Sequence, residues 1–394
     1  MDRKRIEEIR GMIQAASSVL ERLENDNTAV SAIEMLLDSS EGINAMLYYS
    51  KELEFQAFYD LSTKEGLEGY IREYHELIRI WEESLSRREG IDEVFFELYD
   101  YFKYVSADRI FQVSIAAFKQ QEDDLRSILI NGLENLIFLN STINEETEDY
   151  SLIREYVEMM KERVEDFRWL YENLADYRSK RVLLRIVKYW INLDLRDLIN
   201  LRENIFSDYY DLDLLDVGDE EVVVDCGAYI GDSIQEYIDN YGYQYKKIYA
   251  YEMSPDVFEA LKQETADIPN IVYRKAGVGA KNCQLYLKNQ NYLDAASLSE
   301  EGEVAVDVVP LDEDITEKIT IIKMDIEGAE MDALFGAKKH IQEDKPRLLI
   351  SAYHRTADIF DIPRRIREYR DDYKLYLRFN GKVAWPADFI IFGV

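Results

Sequence analysis

Apolar residues recur at helical intervals along the first half of this chain, then give way to short β-branched runs bounded by glycine and acidic residues. From Ile6 the apolar positions fall at 6, 9, 13, 16, 20 and 23, a heptad seam that Asn25, Asp26 and Asn27 interrupt. Such a seam serves either a helix packed on its own domain or a homodimer. Asp38 to Gly42 form a turn cluster. Leu67, Tyr70, Ile71, Tyr74, Leu77, Ile78, Trp81 and Leu85 make a second helical stripe, with His75 on its polar side and an end at Gly90. Two further helical patterns span Asp92 to Val105 and Asp108 to Phe138. These patterns contain no proline and little strand-type alternation, and predict an all-α domain over residues 1–148. The acidic break from Asn144 to Asp149 marks its boundary. A helical lead-in follows over residues 149–215, with a stripe from Tyr156 to Leu174 and a helix through Val182 to Ile191 capped by Asp176 or Ser179.

The period then shifts to that of strands. Val222 to Val224 run into Asp225, glycines stand at 227 and 231, and a helix starts at Ser233 with Ile234, Tyr237 and Ile238 on one side. Lys247 to Tyr251 predict a second strand, and Ser254 and Pro255 open the next helix. Asn270 to Tyr273 predict a third strand, followed by a loop from Ala276 to Gly279. Cys283 to Leu287 and Val304 to Val309 read as an inserted hairpin with a polar, mobile segment, Asn289 to Glu303, between them. Ile319 to Met324 and Pro346 to Ser351 are the fourth and fifth core strands, and Asp361 to Pro363 cap the helix after them. Tyr373 to Phe379 and Phe389 to Phe392 close the sheet as an antiparallel pair around Asn380 and Gly381. Residues 216–394 thus predict a doubly wound, mostly parallel α/β domain.

Composition narrows the function. The 394 residues suffice for two domains. With 47 basic against 79 acidic side chains the formal net charge is −32, which repels phosphate backbones and anionic membranes and counts against nucleic-acid partners. No apolar run reaches bilayer-spanning length, and the amino terminus lacks the apolar core of a secretion signal, so a soluble, cytoplasmic protein without membrane insertion is expected. Two cysteines and three histidines, without metal-site spacing, exclude a disulfide framework and a protein-bound catalytic zinc. Arg178, Lys180, Arg181, Arg185 and Lys188 read as a solvated helix face.

The chemistry concentrates at strand ends. The first turn reads D-x-G-x-x-x-G from Asp225 to Gly231, one glycine short of the dinucleotide fingerprint, which rules against a nicotinamide dehydrogenase. A loop that need not cradle a pyrophosphate suits a nucleoside cofactor with an amino-acid tail, S-adenosylmethionine (SAM). Glu252, at the second strand's tip, is placed to accept both ribose hydroxyls. The loop at Ala276 to Gly279 is placed for the adenine. The fourth strand delivers Lys323, Asp325 and Glu327 to its carboxyl end, a charge concentration that a core does not hold without purpose. Lys323 and Asp325 share a side by strand alternation, while Glu330 suits a helix amino terminus. Tyr353 and His354 follow the fifth strand onto the same rim. Cys226 reads as a small buried turn residue rather than a nucleophile.

From about Phe167 onward the chain resembles the FkbM family of SAM-dependent methyltransferases. The residues that carry the resemblance run from Val224 to Ser233, include Glu252, and above all run from Ile322 to Glu330, that family's hallmark segment. The resemblance implies a Rossmann-like methyltransferase fold acting on hydroxyl oxygens of sugars, lipid-linked glycans or natural products. It implies cofactor contacts from Asp225, Gly227, Tyr229, Gly231, Asp232 and Ser233 on the first turn. Glu252, Met253, Gly277, Val278 and Asp325 complete the implied set. Tyr229 departs from the asparagine that many members carry. The general base is expected to be Asp325 or His354, with Lys323 steadying the acceptor's developing oxyanion. No metal is required, although Asp325 and Glu327 have the oxygen ligands that hard cations favour. The competing expectation is a catalytically silent binding or assembly protein that works through its helical domain.

Overall fold

In the computed structural model the described residues are 90–133, 141–199, 201, 209–288, 297–299, 301–302, 304–379 and 388–394. The heptad seam at 6–23, the turn at 38–42, the stripe at 67–85 with His75, most of the segment 289–303 and the Asn380–Gly381 turn lie outside them. Two compact units divide the chain. One comprises Met1–Glu122, Ile153–Glu165 and Trp190–Leu193; the other comprises Asp123–Leu152, Asp166–Tyr189 and Asp194–Val394. The units interleave along the sequence rather than meeting at residue 148.

In the first unit, α1 (Ile91–Tyr104) buries Phe95, Leu98, Tyr99 and Phe102, the i, i+3, i+4, i+7 face of an amphipathic helix. Ser106 caps α2 (Ala107–Lys119), its hydroxyl accepting from the Arg109 N–H. The single helix expected from Asp108 to Phe138 is two helices. The polar run from Lys119 to Asp124 offers no apolar position to carry a buried face onward, and Asp123 and Asp124 instead start α3 (Asp123–Leu133). Four more helices follow among the described residues: α4 (Ser151–Glu162), almost all of it in the first unit, and α5 (Val164–Asn173), α6 (Tyr177–Asn192) and α7 (Leu195–Ile199), which like α3 lie mostly or wholly in the second. Asp176 caps α6, its Oδ1 accepting from the Ser179 N–H and hydroxyl.

The second unit holds a seven-stranded sheet. Its strands are β1 (Val222–Cys226), β2 (Lys247–Tyr251), β3 (Ile271–Arg274), β8 (Ile321–Met324), β9 (Arg347–Ser351), β10 (Leu375–Phe379) and β11 (Phe389–Gly393). Their spatial order is β10-β11-β9-β8-β1-β2-β3, and only β11 runs against its neighbours. β1 and β8 are buried along their whole length, which is why both read as apolar runs without alternation. Between β3 and β8 a four-stranded sheet of order β4-β7-β5-β6 is inserted, from β4 (Gly277–Val278), β5 (Cys283–Lys288), β6 (Ser297–Ser299) and β7 (Ala305–Val309). The loop expected at Ala276 to Gly279 is therefore partly strand: β4 pairs in parallel with Val308 and Val309.

After β1, six further helices of this unit are described: α8 (Asp232–Tyr241), α9 (Pro255–Glu264), α10 (Leu311–Asp314), α11 (Glu330–Gly336), α12 (Lys338–Glu343) and α13 (Asp358–Tyr369). Asp361 to Pro363 do not cap α13. The helix begins at Asp358, and Pro363 lies inside it, where its missing N–H leaves one i−4 carbonyl without the usual donor. Residues of the lead-in are tied to the sheet edge. Arg378 on β10, only 2% exposed, reaches Asp211 at 2.6 Å and Asp176 at 2.8 Å, while the Ala175 N–H donates to the Leu375 carbonyl.

Candidate functional site

Strand order reverses between β1 and β8, and a cleft of about 270 Å³ opens beyond the carboxyl ends of the central strands. The backbone stitches its rim. The N–H groups of Gly227 and Ala228 donate to the Tyr251 carbonyl, Glu252 N–H to Arg274, and Asp325 N–H to Cys226. The loops after four strands thereby sit at one level.

Asp225 and Lys323 are direct partners in the β1–β8 register and form an ion pair at 3.0 Å with side-chain exposures of 1% and 3%. The Ser233 hydroxyl donates to the other Asp225 oxygen at 2.5 Å. Burial works against a charged Lys323, but Asp225 and Asp325 hold its pKa above the ordinary lysine value, so it stays a cation. Its ammonium also donates to the Gly227 carbonyl at 2.8 Å and lies 4.7 Å from the centre of the Tyr209 ring. With its donors so engaged, Lys323 braces the first turn. It also lines the cleft, where the sequence reading expected it to steady an acceptor oxyanion.

Gly227 needs to be glycine for two reasons. Its φ is 77°, in the left-handed region, and a β-carbon there would lie 1.9 Å from the Asp325 carbonyl oxygen. Tyr229 and Glu327 adopt the same region without being glycine, at φ of 46° and 55°. Both line the cleft, where strained backbone is commonly retained for function.

Of the residues expected to touch a cofactor, Gly227, Tyr229, Asp232, Ser233, Glu252, Met253, Gly277, Val278 and Asp325 line the cleft. Asp225 and Gly231 do not. Asp225 faces Lys323 and Ser233, and Gly231 packs its Cα against Thr265 at the start of α8. Glu252 turns one oxygen to the Ser254 N–H at 2.7 Å. Burial raises its pKa, against the backbone N–H groups of Ser254, Tyr229 and Met253. Cys226 is buried, and burial together with the Asp225 charge pushes its thiol up, as an inert residue requires.

Asp325 is held from two sides. The Tyr209 hydroxyl donates to Oδ2, and the Tyr353 hydroxyl donates to Oδ1 at 3.2 Å. Burial alone would raise its pKa, but the charges of His354 and Lys323 and the two phenols hold it below the usual carboxylate range. The sequence reading missed Tyr209. It precedes β1 by 13 positions (222 − 209), in a stretch with no motif, and only folding brings it over the cleft.

His354 is almost fully buried behind Asp325. Its Nδ1 lies 2.8 Å from Glu330 Oε1, and its Nε2 lies 3.3 Å from Asp325 Oδ1 and 3.7 Å from Glu327 Oε2. Burial opposes its charge, yet Glu330, Asp325 and Glu327 push its pKa up to about 10. Without a cation beside it, His354 is thus held toward its protonated form, with its ring fixed between Glu330 and Asp325. Glu330, the first residue of α11, is wholly buried and accepts from the Ile326 N–H at 2.9 Å as well as facing His354. It does more than complement a helix dipole.

Asp358 lies nearby, 2% exposed, accepting from the Arg355 N–H at 3.2 Å. Burial first, then Glu330, raises its pKa from 3.8 to about 7 against the pull of Arg355 and His354. The folded state therefore keeps this proton where the unfolded chain has lost it, and Asp358 weakens folding progressively as pH climbs from about 4 to about 7. Asp358→Asn should raise the unfolding free energy by on the order of 2 kcal/mol at pH 8 and by clearly less at pH 5. Urea denaturation at both pH values checks this, and an equal effect at the two would contradict it.

Residues 225–374 match the model of the Methyltransferase FkbM domain. Among solved structures, the fold is similar to that of Methyltransferase FkbM from Methylobacillus flagellatus KT, with 25% identity, a TM-score of 0.55, and coverage of 64% of this chain and 65% of that one. This chain thus spans slightly under two thirds of that protein's length. Weaker likenesses extend to fibrillarin from Aeropyrum pernix, solved with bound S-adenosyl-L-methionine (15% identity, TM-score 0.31, 46% and 69% of the two chains). An rRNA methylase from Streptococcus thermophilus is comparably distant (18%, TM-score 0.29, 45% and 87%). No curated protein matches the sequence. Among the described residues no helix is long and apolar enough to cross a membrane. The α/β unit has a Rossmann-like methyltransferase fold, and its residues 225–374 are similar to the methyltransferase FkbM domain.

Proposed function

We propose that this chain is a SAM-dependent methyltransferase that methylates a hydroxyl oxygen of a sugar, glycan or natural-product acceptor. The observation that carries the reading is Glu252, a half-buried carboxylate at the tip of β2, opening onto the same cleft as the first turn at Gly227 and Tyr229. A carboxylate there is placed to accept from two vicinal ribose hydroxyls. Met253, Ala276 and Val278 offer apolar surface for an adenine, and Asp232, Asp325 and Glu327 give the cleft the negative charge that suits a sulfonium cation. When bound, SAM supplies an electrophilic methyl group.

Asp325 is the residue to which we assign the acceptor. It lies on the cleft wall, anionic, with Tyr209 and Tyr353 fixing its plane. A hydroxyl donating to it is oriented, and its proton passes to the carboxylate as the oxygen takes the methyl group. Lys323 keeps the turn beneath in place. The hydroxyl acceptor and its class rest on the family resemblance.

Calorimetry with SAM on the wild type and on Glu252→Ala tests the reading. Loss of two charge-assisted hydrogen bonds to the ribose, each worth roughly 1.5–3 kcal/mol, should weaken binding by at least about 100-fold. A folded, ligand-free wild type that takes up no SAM would sink the reading and turn attention to a binding role.

A further inference from the structure

We propose that Asp325, Glu327 and His354 form a divalent-cation site at the end of the cleft. Each offers one ligand atom, and these atoms lie within 4.8 Å of one another. Asp325 and Glu327 line the cleft while His354 closes it from behind with a side-chain exposure of 1%. The donor set mixes two carboxylate oxygens with one imidazole nitrogen, which suits Mn²⁺ or Mg²⁺.

Two features separate this arrangement from an ordinary acidic cluster. First, the imidazole is oriented as metal-bound imidazoles are. Glu330 faces Nδ1 at 2.8 Å and thereby aims Nε2 at the Asp325 and Glu327 oxygens. A carboxylate behind a histidine in this way fixes the ring and raises its basicity as a ligand. Second, Asp325 has the same support, with the Tyr209 and Tyr353 phenols locking its carboxylate.

A cation at this point would face the cleft that Asp325 and Glu327 line. The inference rests on the methyl-transfer reading for its chemistry and changes one role within it. With the cation bound, Asp325 is a ligand rather than the base. A cation held by these residues would act as a Lewis acid, lowering the pKa of an acceptor hydroxyl so that its proton could pass to solvent. The oxygen pair left behind forms the O–CH₃ bond as the C–S bond breaks, and the sulfonium becomes a neutral thioether. The acceptor class favoured is a polyol that can place one hydroxyl oxygen on the metal.

Mn²⁺ titration of the full chain, followed by electron paramagnetic resonance, tests the site. One Mn²⁺ per chain is expected, with an electron spin-echo coupling to a single imidazole nitrogen. Acidic surface patches bind through oxygen alone and give no such coupling. Glu327→Gln and Asp325→Asn should each weaken this binding by at least about tenfold, the lower end of what even outer-shell changes cost. Glu327 is about one-fifth exposed, so its variant remains informative if Asp325→Asn folds poorly. Mn²⁺ bound without nitrogen coupling, or bound equally by wild type and Glu327→Gln, would overturn the site. SAM calorimetry in EDTA separates the two ideas. SAM uptake without a nitrogen-coupled Mn²⁺ refutes the cation site alone, whereas a nitrogen-coupled Mn²⁺ without SAM uptake upholds it and refutes the methyltransferase reading.

Discussion

Gly227→Ala should abolish SAM binding and destabilise the α/β unit by about 2–5 kcal/mol. The added β-carbon faces two penalties. At φ 77° it sits in the left-handed region, costing roughly 1–2 kcal/mol for an L-residue. It would also lie 1.9 Å from the Asp325 carbonyl oxygen, a backbone atom that no rotamer change can move, and overpacking of that kind costs a further ~1–3 kcal/mol. Relief requires the first turn and the β8 loop to separate, which displaces both walls of the cleft. Gly218→Ala is the control. It has no atom within 4 Å of its added β-carbon and no left-handed φ, so its effect should stay within about 0.5 kcal/mol. Urea denaturation and SAM calorimetry on both variants test the contrast. Wild-type stability and affinity in Gly227→Ala would show that the turn adapts and is not the close-packed element described above.

Lys323→Met should cost about 3–5 kcal/mol, the usual consequence of removing one member of a buried ion pair. Asp225, 1% exposed, would be left with the Ser233 hydroxyl and no countercharge, and the Gly227 carbonyl would lose its side-chain donor. The loss arises from the stranded carboxylate rather than from the strength of the pair. Asp225→Asn in the same chain should therefore recover a substantial part of the stability. Chemical denaturation of the single and double variants decides the point. A single variant as stable as wild type, or a double variant no better than the single, would remove Lys323 from its bracing role. The same experiment separates bracing from catalysis, because an oxyanion-binding lysine could be lost without unfolding the turn.

Much of the α/β framework was legible because local patterns and tertiary demands agree. Lys247 to Tyr251 form β2 with the expected bounds. β1 extends the expected Val222–Val224 run by two residues, and the final strands pair antiparallel as expected. Agreement failed where a neighbour overrode the local signal. Gly277 and Val278 look like a loop, yet Val308 and Val309 recruit them as a strand. Pro363 looks like a helix start, yet α13 begins five residues earlier. In the site, Gly227, Glu252 and Asp325 announced themselves through spacing and position at strand tips. Tyr209 did not, since nothing near it in sequence marks a residue that folds over a cleft 116 positions away from its partner Asp325.

The order of elements, the turn chemistry and the acidic residues at strand ends follow from the sequence itself, because β-branched runs, glycines and short-range spacing act within a few residues. The charge states and roles of those residues do not. Sequence alone left the general base open between Asp325 and His354 and offered Lys323 to the acceptor oxyanion. In the folded chain three carboxylates surround the histidine, and Asp225, Gly227 and Tyr209 engage the lysine. A side chain's protonation depends on burial and on charges a few ångströms away, contributed by segments far apart in the chain. Only the tertiary structure brings those together.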